Sequence, residues 1–490
     1  LLLADIASGG RVLPSYDQLI VDEAHHLEEA ATEQLTERAS WRAASQWLHQ
    51  LTLAGSLLHE VLQLAEPAVL AVVEPALHTL DARAQRMAHT LNDFAAKLLN
   101  FVCQQEPIRS QVGYAQRLHL NSGIRAQPRW SQVEIEWDNA SIHLADVLAA
   151  LAQVLAALQE ARWRSREPHA THLNELEGIY QQLDSLRKLL DIVILADPAQ
   201  RAEDGGLIAW FELNEKADTV HILAAPVSVS RLLEEKLVHQ KRSVILTGAT
   251  LRTGSGFDFI KERLGLWDVP DATLPSPFDY RNNTLLFMPS DLPEPNHPHY
   301  QQAVESAIVA AATATNGRTL VLFTSYAQLR ITADAIRMPL DRLGITVLQQ
   351  GGSGRQRLLR EYRQTQQAVL LGTRTFWEGI DLPGDELLSL LIVRLPFAVP
   401  NDPLVAARSA ECDNPFMDYT LPEAILRFRQ GFGRLIRRAS DRGAVILLDS
   451  RVWQKRYGPA FLDALPNCTE CRAPLSNLQE EIERWMRPRE

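Results

Sequence analysis

Between residues 300 and 449, short apolar runs alternate with amphipathic stretches, and this alternation restricts the fold more than any other feature of the chain. The runs are Arg318–Ser325, Ile345–Gln349, Ala368–Leu371, Leu388–Val393 and Gly443–Asp449. Helical spacing is predicted over 300–314, near 327–337, over 355–363 and over 422–438. A strand covered on both faces reads as a continuous apolar run, and alternation with helices implies a parallel sheet wound on both sides. No dinucleotide-binding glycine pattern opens any of these helices.

A second apolar run, Leu19-Ile-Val21, ends on Asp22-Glu23-Ala24-His25-His26. Ligands bind at the carboxyl ends of strands in open α/β sheets. Asp22 is then placed to hold a magnesium ion and Glu23 to polarise an attacking water, the two carboxylate tasks of nucleotide hydrolysis. The alternative is a helix N-terminus whose acids only complement the dipole, as Glu28 and Glu29 are expected to do.

The length of 490 residues points to two to four domains with large cores. No apolar run of about 18 residues is expected to span a membrane. A net charge of −11 argues against a surface coated for nucleic acid, although a local basic channel is compatible with it. Four cysteines suit a reducing cytoplasm. Cys468-x-x-Cys471 lacks the histidine or further cysteines of a zinc site, so free thiols are expected there.

From about 33 to 200 the chain is rich in Ala, Leu, Gln and Glu at helical spacing, as in Leu144, Val147, Leu148 and Leu151. Val112 to Trp137 is predicted to interrupt it with a short sheet or hairpin, because Val133-Glu-Ile-Glu-Trp137 alternates. Trp130, Trp137 and Trp163 are expected in the core rather than as base-stacking platforms. After Asp204-Gly-Gly206, strands are predicted at Leu207–Leu213, Val220–Leu223 and Ser243–Thr250, the last a buried strand that ends in the hydroxyls and small residues of Thr247-Gly-Ala-Thr250. Thr247 and Thr250 could bond a catalytic histidine or serve as an ordinary helix cap. Pro275–Pro298 reads as a linker.

In the predicted helix 422–438, Gln430-Gly-Phe-Gly-Arg-Leu-Ile-Arg-Arg438 places Arg434 and Arg437 three apart, on one face. Forked guanidinium groups suit the spread charge of a phosphoryl-transfer transition state, against the alternative of a basic surface helix.

Taken in order, VDEAHH (21–26), TGATL (247–251), LVLFTSY (320–326), GTRTFWEGIDLPG (372–384), VRLPFAVPNDP (393–403) and QGFGRLIRRASDRGAVILLDSR (430–451) resemble the superfamily 2 DNA helicases of the XPD/DinG type, nearest the bacterial DinG branch. The resemblance implies two RecA-like doubly wound parallel-sheet domains, 1–32 with 206–275 and 276–490. A mostly α-helical, Arch-like insertion would fill 33–205. It implies an ATP-dependent 5′–3′ helicase with ATP and Mg2+ as cofactors, acting on single-stranded and tailed duplex DNA in repair or replication. Such a protein would be a cytoplasmic monomer with no membrane partner.

Carried onto this sequence, Glu23, Arg434 and Arg437 would be catalytic. Asp22 (the Mg2+ residue), His25, Gly379, Asp381 and Gln430 would bind the nucleotide. Thr247, Thr250, Thr324, Ser325, Thr373, Trp377 and Glu378 would couple nucleotide to DNA. Thr-Gly-Ala-Thr departs from the more usual Thr-Ser-Ala-Thr. The phosphate loop G-x-x-x-x-G-K-[ST] does not occur, residue 1 is leucine, and the first methionine is Met87. The expectation is a chain that starts downstream of its phosphate loop and does not turn over ATP alone. Many relatives hold an iron–sulfur cluster through cysteines upstream of DEAH; that region does not occur here, which leaves the cluster undetermined. The alternatives are the same motor fused upstream to a 3′–5′ exonuclease, or a catalytically silent nucleic-acid-binding module.

Overall fold

The structure, a computed structural model, describes residues 1–7, 11–105, 116–160, 170–195, 206–214, 219–254, 256–351, 354–377, 379–400 and 402–487. Its strands are β1 (Gln18–Val21), β2 (Glu37–Ala39), β3 (Gln116–His119), β4 (Leu207–Asn214), β5 (Thr219–Pro226), β6 (Ser243–Leu246) and β7 (Thr284–Pro289). They continue with β8 (Thr319–Leu322), β9 (Thr346–Gln349), β10 (Ala368–Gly372), β11 (Ser389–Ile392), β12 (Gly443–Leu447) and β13 (Thr469–Ala473).

The second half of the chain is a seven-stranded sheet in the order β13-β7-β12-β11-β8-β10-β9, parallel throughout. Every residue of β7, β8, β10, β11 and β12 is buried, as continuous apolar runs require when helices cover both faces. One apolar cluster gathers around Leu320, Leu370, Phe376 and Phe428, and another around Val321, Val369, Ile308 and Ile336, one for each face of the sheet.

Two expectations change here. The proline-rich stretch read as a linker contains β7, whose Thr-Leu-Leu-Phe-Met-Pro pairs with both β12 and β13. Flanking Asn and Pro residues concealed it. The helix expected over 422–438 runs only from Leu421 to Phe432. Beyond Gly433 the chain turns, because the buried Asp441 carboxylate accepts from the backbone N–H groups of Arg437 and Arg438 at 2.8 Å each. Arg434 and Arg437 therefore share no helical face.

β1 and β6 pair in parallel, Gln18 opposite Ser243 through Val21 opposite Leu246. One face of this pair, with Leu19, Val21, Val244 and Leu246, packs on a core of Ala24, Leu27, Leu233, Ile260 and Leu264. On the other face Ile20 and Ile245 are exposed.

Between β1 and β6 lies the inserted module. Helices Trp41–Ala65, Pro67–Cys103, Pro128–Glu160 and Ala170–Leu190 enclose its core. The hairpin expected near Val133–Trp137 is instead part of the helix Pro128–Glu160. Alternation over five residues was outvoted by the longer period: Trp130, Val133, Trp137, Ala140 and Leu144 are all buried, while Ile135 is exposed. A strand does occur just before it, at β3. Trp130 and Trp137 are fully enclosed, and Trp137 donates to Asp191 Oδ1 at 2.9 Å. Trp163 and Glu378 lie outside the described residues.

Contrary to the expectation from apolar run length, Pro128–Glu160 is long and apolar enough to cross a membrane. Its apolar stripe is, however, the central wall of this core, with Val147, Leu151, Val154 and Leu158 buried.

β4 and β5, expected in the first motor domain, pair instead with β2 and β3. The resulting antiparallel sheet has the order β2-β5-β4-β3. Phe211, Val220 and Ile222 on one face join the helical core, so this sheet is the floor of the inserted module.

Candidate functional site

The DEAHH turn follows directly on β1. Asp22 Oδ1 accepts from the backbone N–H of Glu23 at 2.9 Å, and Glu23 sits in the left-handed region at φ 50°. A non-glycine residue held there is strained and persists only where its surroundings fix it. The turn after β6 fixes it: Thr247 donates to Val21 O at 2.9 Å and Ala24 donates to Thr247 O at 3.0 Å. Gly248 lies against the Glu23 backbone, where an added Cβ would meet Glu23 Cα at 3.4 Å.

His25 Nδ1 is 3.2 Å from Thr250 Oγ1 and 3.4 Å from Glu23 Oε2. Burial pushes the ring's pKa down to about 4, helped by His26 and by Arg434 from the other half of the chain and opposed by Asp22. The imidazole is thus neutral at physiological pH. Because a carboxylate only accepts, Nδ1 is assigned the proton that faces Glu23 and Thr250. Thr250 rather than Thr247 meets the histidine; Thr247 contributes its backbone.

Opposite this turn stands the end of the seven-stranded sheet. Arg434 donates to Trp377 O at 2.9 Å and to Ile380 O at 3.1 Å; Arg437 donates to Ile380 O at 3.0 Å. The two guanidinium groups therefore converge on one carbonyl, although no helix aligns them. Arg437 Nε is 3.9 Å from Asp381 Oδ1 and has no hydrogen-bond partner among the described residues. Gln430 is buried, and its Oε1 is likewise unpartnered there. Gly379 takes φ 64° and its carbonyl accepts from Arg355.

The remaining motif residues have local roles. Gln350 Oε1 accepts from both the N–H and the hydroxyl of Thr373 at 2.8 Å. Ser325 caps the helix Tyr326–Asp341, accepting from Gln328 N, and Thr324 sits half-buried just before it. Trp377 is buried, donates to Phe323 O at 3.1 Å, and packs on Gly431.

Three arginines across the cleft were not identified from sequence. Arg429 donates to Ala249 O at 3.3 Å and to Arg252 O, joining the helix Leu421–Phe432 to the Thr-Gly-Ala-Thr turn. Arg374 pairs with Glu29, and Arg408 is 3.0 Å from Glu28. Arg374 sits inside the GTRTFWEGIDLPG stretch and Arg429 directly before Gln430, which was an available signal; Arg408 carries none. Burial raises both Cys468, to about 11, and Cys471, and no metal-holding group of three His, Cys, Asp or Glu occurs among the described residues.

An acid pair at a strand tip, faced across a cleft by arginines from a second parallel-sheet unit, defines the architecture of a superfamily 2 helicase. Residues 308–468 match the family model for a helicase C-terminal domain. The chain is 33% identical to a Bacillus subtilis protein named 3′-5′ exonuclease DinG, over 98% of this chain and 52% of that one. It is 31% identical to the ATP-dependent DNA helicase DinG of Photobacterium profundum, over 95% and 67% of the two chains. It is also 29% identical to the ATP-dependent DNA helicase YoaA of Escherichia coli, over 96% and 66%. A solved XPD helicase superposes at a TM-score of 0.50 with 14% identity, covering 95% of this chain and 71% of that one. This chain belongs to the XPD/DinG family of superfamily 2 helicases. It spans about half to two-thirds of the length of these curated relatives.

Proposed function

We propose that this chain works in an ATP-driven DNA helicase that moves 5′ to 3′ on single-stranded DNA, as a cytoplasmic monomer in DNA repair or replication. The carrying observation is that Arg429, directly before Gln430, donates across the cleft to Ala249 O at 3.3 Å and to Arg252 O, which sets the Gln430–Arg438 segment opposite the turn that holds Asp22 and Glu23. Closing the cleft would bring acids and arginines to one nucleotide. Gln430 Oε1 and Arg437 Nε, both buried and without a hydrogen-bond partner among the described residues, fit a polar ligand such as ATP. Magnesium, held through Asp22, would supply charge neutralisation for the phosphates. Glu23 orients water, His25 ties it to Thr250, and Arg434 and Arg437 stabilise charge that develops on transfer. Thr373, Trp377, Glu378, Gly379 and Asp381 are read as the link from nucleotide to DNA. We place the inserted module at residues 37–226, where it would guide single strands.

A second reading is favoured by the Bacillus subtilis relative, of which this chain covers only 52% and which is named an exonuclease. There the same motor would feed a nuclease. The test is Glu23→Gln in the full-length protein, assayed on 5′-tailed and 3′-tailed duplexes. Retained ATP binding with hydrolysis and 5′-tail unwinding lost supports the motor; turnover within about threefold of wild type removes Glu23 from its role. Strand degradation that persists in the variant would identify a separate nuclease.

A further inference from the structure

The helix Pro403–Ala410 leaves the seven-stranded unit between β11 and β12 and docks away from it. Leu404 and Ala407 pack on Ile208, Trp210, Leu223 and Val227, the face of the antiparallel sheet that the helical core does not use. Beside them Asp402 accepts from Arg117 of β3 at 3.1 Å. One turn on, the buried Arg408 meets three partners. Its Nε donates to Val227 O at 2.8 Å, one terminal nitrogen donates to Thr32 Oγ1 at 2.5 Å, and the other is 3.0 Å from Glu28 Oε1. Glu28 also accepts from Arg263 Nε at 3.0 Å, and Arg263 stacks 4.8 Å over Tyr419. One guanidinium therefore joins the second sheet unit to the helix Leu27–Leu35 and to Val227, the residue directly after β5, which packs on the sheet of the inserted module.

Glu28 and Thr32 belong to the helix Leu27–Leu35, which begins one residue after His26 and so continues the strained Glu23 turn. A guanidinium fork holds its partners in fixed geometry, and hydrogen bonds weaken steeply when misaligned. A small shift of the docked helix would loosen all three contacts together. We propose that Arg408 is a positioning residue that sets the DEAHH turn according to where the inserted module sits. The module's movement on a nucleic-acid strand is thereby reported to Glu23 and His25 through the helix Leu27–Leu35. The contact stands on geometry alone; only its effect on hydrolysis rests on the helicase reading.

The first test needs no turnover. Amide hydrogen exchange is followed across Leu27–Leu35 and Pro403–Ala410 in wild type, Arg117→Ala, Arg408→Met and the double variant. Arg117 touches the module's sheet and Asp402 but not the helix Leu27–Leu35. Arg117→Ala is expected to speed exchange several-fold in both helices. In the Arg408→Met background it is expected to add nothing in Leu27–Leu35. Faster exchange in Pro403–Ala410 with Leu27–Leu35 unchanged overturns the proposal. Should Arg117→Ala move neither helix, Ala407→Asp places a carboxylate in the apolar contact and is judged by the same criterion.

In the full-length protein, Arg408→Met is expected to cut DNA stimulation of ATP hydrolysis about tenfold. The DNA-independent rate and the KM for ATP are expected to stay within about twofold, and Arg408→Lys to restore part of the stimulation. Equal loss of both rates would mark a merely structural residue. A wild-type protein without DNA-stimulated hydrolysis would refute the helicase reading, while the exchange result would still decide the role of Arg408.

Discussion

Replacing Gly431 with alanine tests how the arginine-bearing segment is held. Gly431 lies in the last turn of the helix Leu421–Phe432, where an added Cβ would fall 2.7 Å from Trp377 Cε3, 2.8 Å from Cζ3 and 3.3 Å from Leu322 Cδ1. Ordinary carbon contacts are about 3.5–4.0 Å, so the indole must retreat by roughly 1 Å. It has little room. Trp377 is buried, its Nε1 is bonded to Phe323 O, and its carbonyl accepts from Arg434. Overpacking of this kind costs about 1–3 kcal/mol, while alanine gains up to about 1 kcal/mol over glycine inside a helix. The expected net loss is about 1–2 kcal/mol, or a Tm lower by about 2–4 °C for each kcal/mol in a domain of this size. Urea unfolding of Gly431→Ala, Trp377→Phe and the double variant measures it, because the smaller ring should relieve the clash and give a favourable coupling energy. Unchanged or increased stability in Gly431→Ala would refute the packing argument and reduce Gly431 to an ordinary helix position.

Other outcomes follow from the same geometry. Arg434→Ala and Arg437→Ala in the full-length protein are expected to lower the maximal hydrolysis rate by about 10³-fold with little change in KM; a rise in KM alone would make them ground-state contacts. Because the folded pKa of His25 is depressed to about 4 from 6.5, the unfolded state binds its proton first. Stability from this residue is complete above pH 6.5 and is lost as pH falls through 6.5 to 4, up to about 3 kcal/mol. His25→Gln is expected to flatten that part of the pH–stability curve in urea titrations, and an unchanged slope would contradict it. A short Gly/Ser linker in place of residues 37–226 is expected to leave a folded two-unit protein by thermal melting. The same linker over 33–205 would strand β4 and β5, uncovering Phe211 and Ile222, both 0% exposed, and is expected to aggregate. Equal behaviour of the two deletions would place the module boundary elsewhere.

The sequence by itself determined the elements whose signal is local. Continuous apolar runs identified β8, β10, β11 and β12, because burial on both faces removes the need for polar alternation. The DEAHH turn, the Thr-Gly-Ala-Thr turn and the Gln430–Arg438 segment were legible as chemistry, since charge at a strand tip or beside glycines has few structural uses. Tertiary structure alone decided what depends on partners distant in sequence. The six residues of β7 look like linker until β12 and β13 flank them. The fragment around Val133 alternates like a strand, yet a core that also holds Phe94 and Leu151 selects the helical period. Arg434 and Arg437 meet at the Ile380 carbonyl because the buried Asp441 carboxylate ends the helix pattern, a bond that no periodicity encodes. Arg408 lies 376 residues from Thr32 and 181 from Val227, and only the folded chain brings the three together. A buried guanidinium is tolerable only where several acceptors converge on it, and here the helix Leu27–Leu35 and the end of β5, both distant in sequence, supply them.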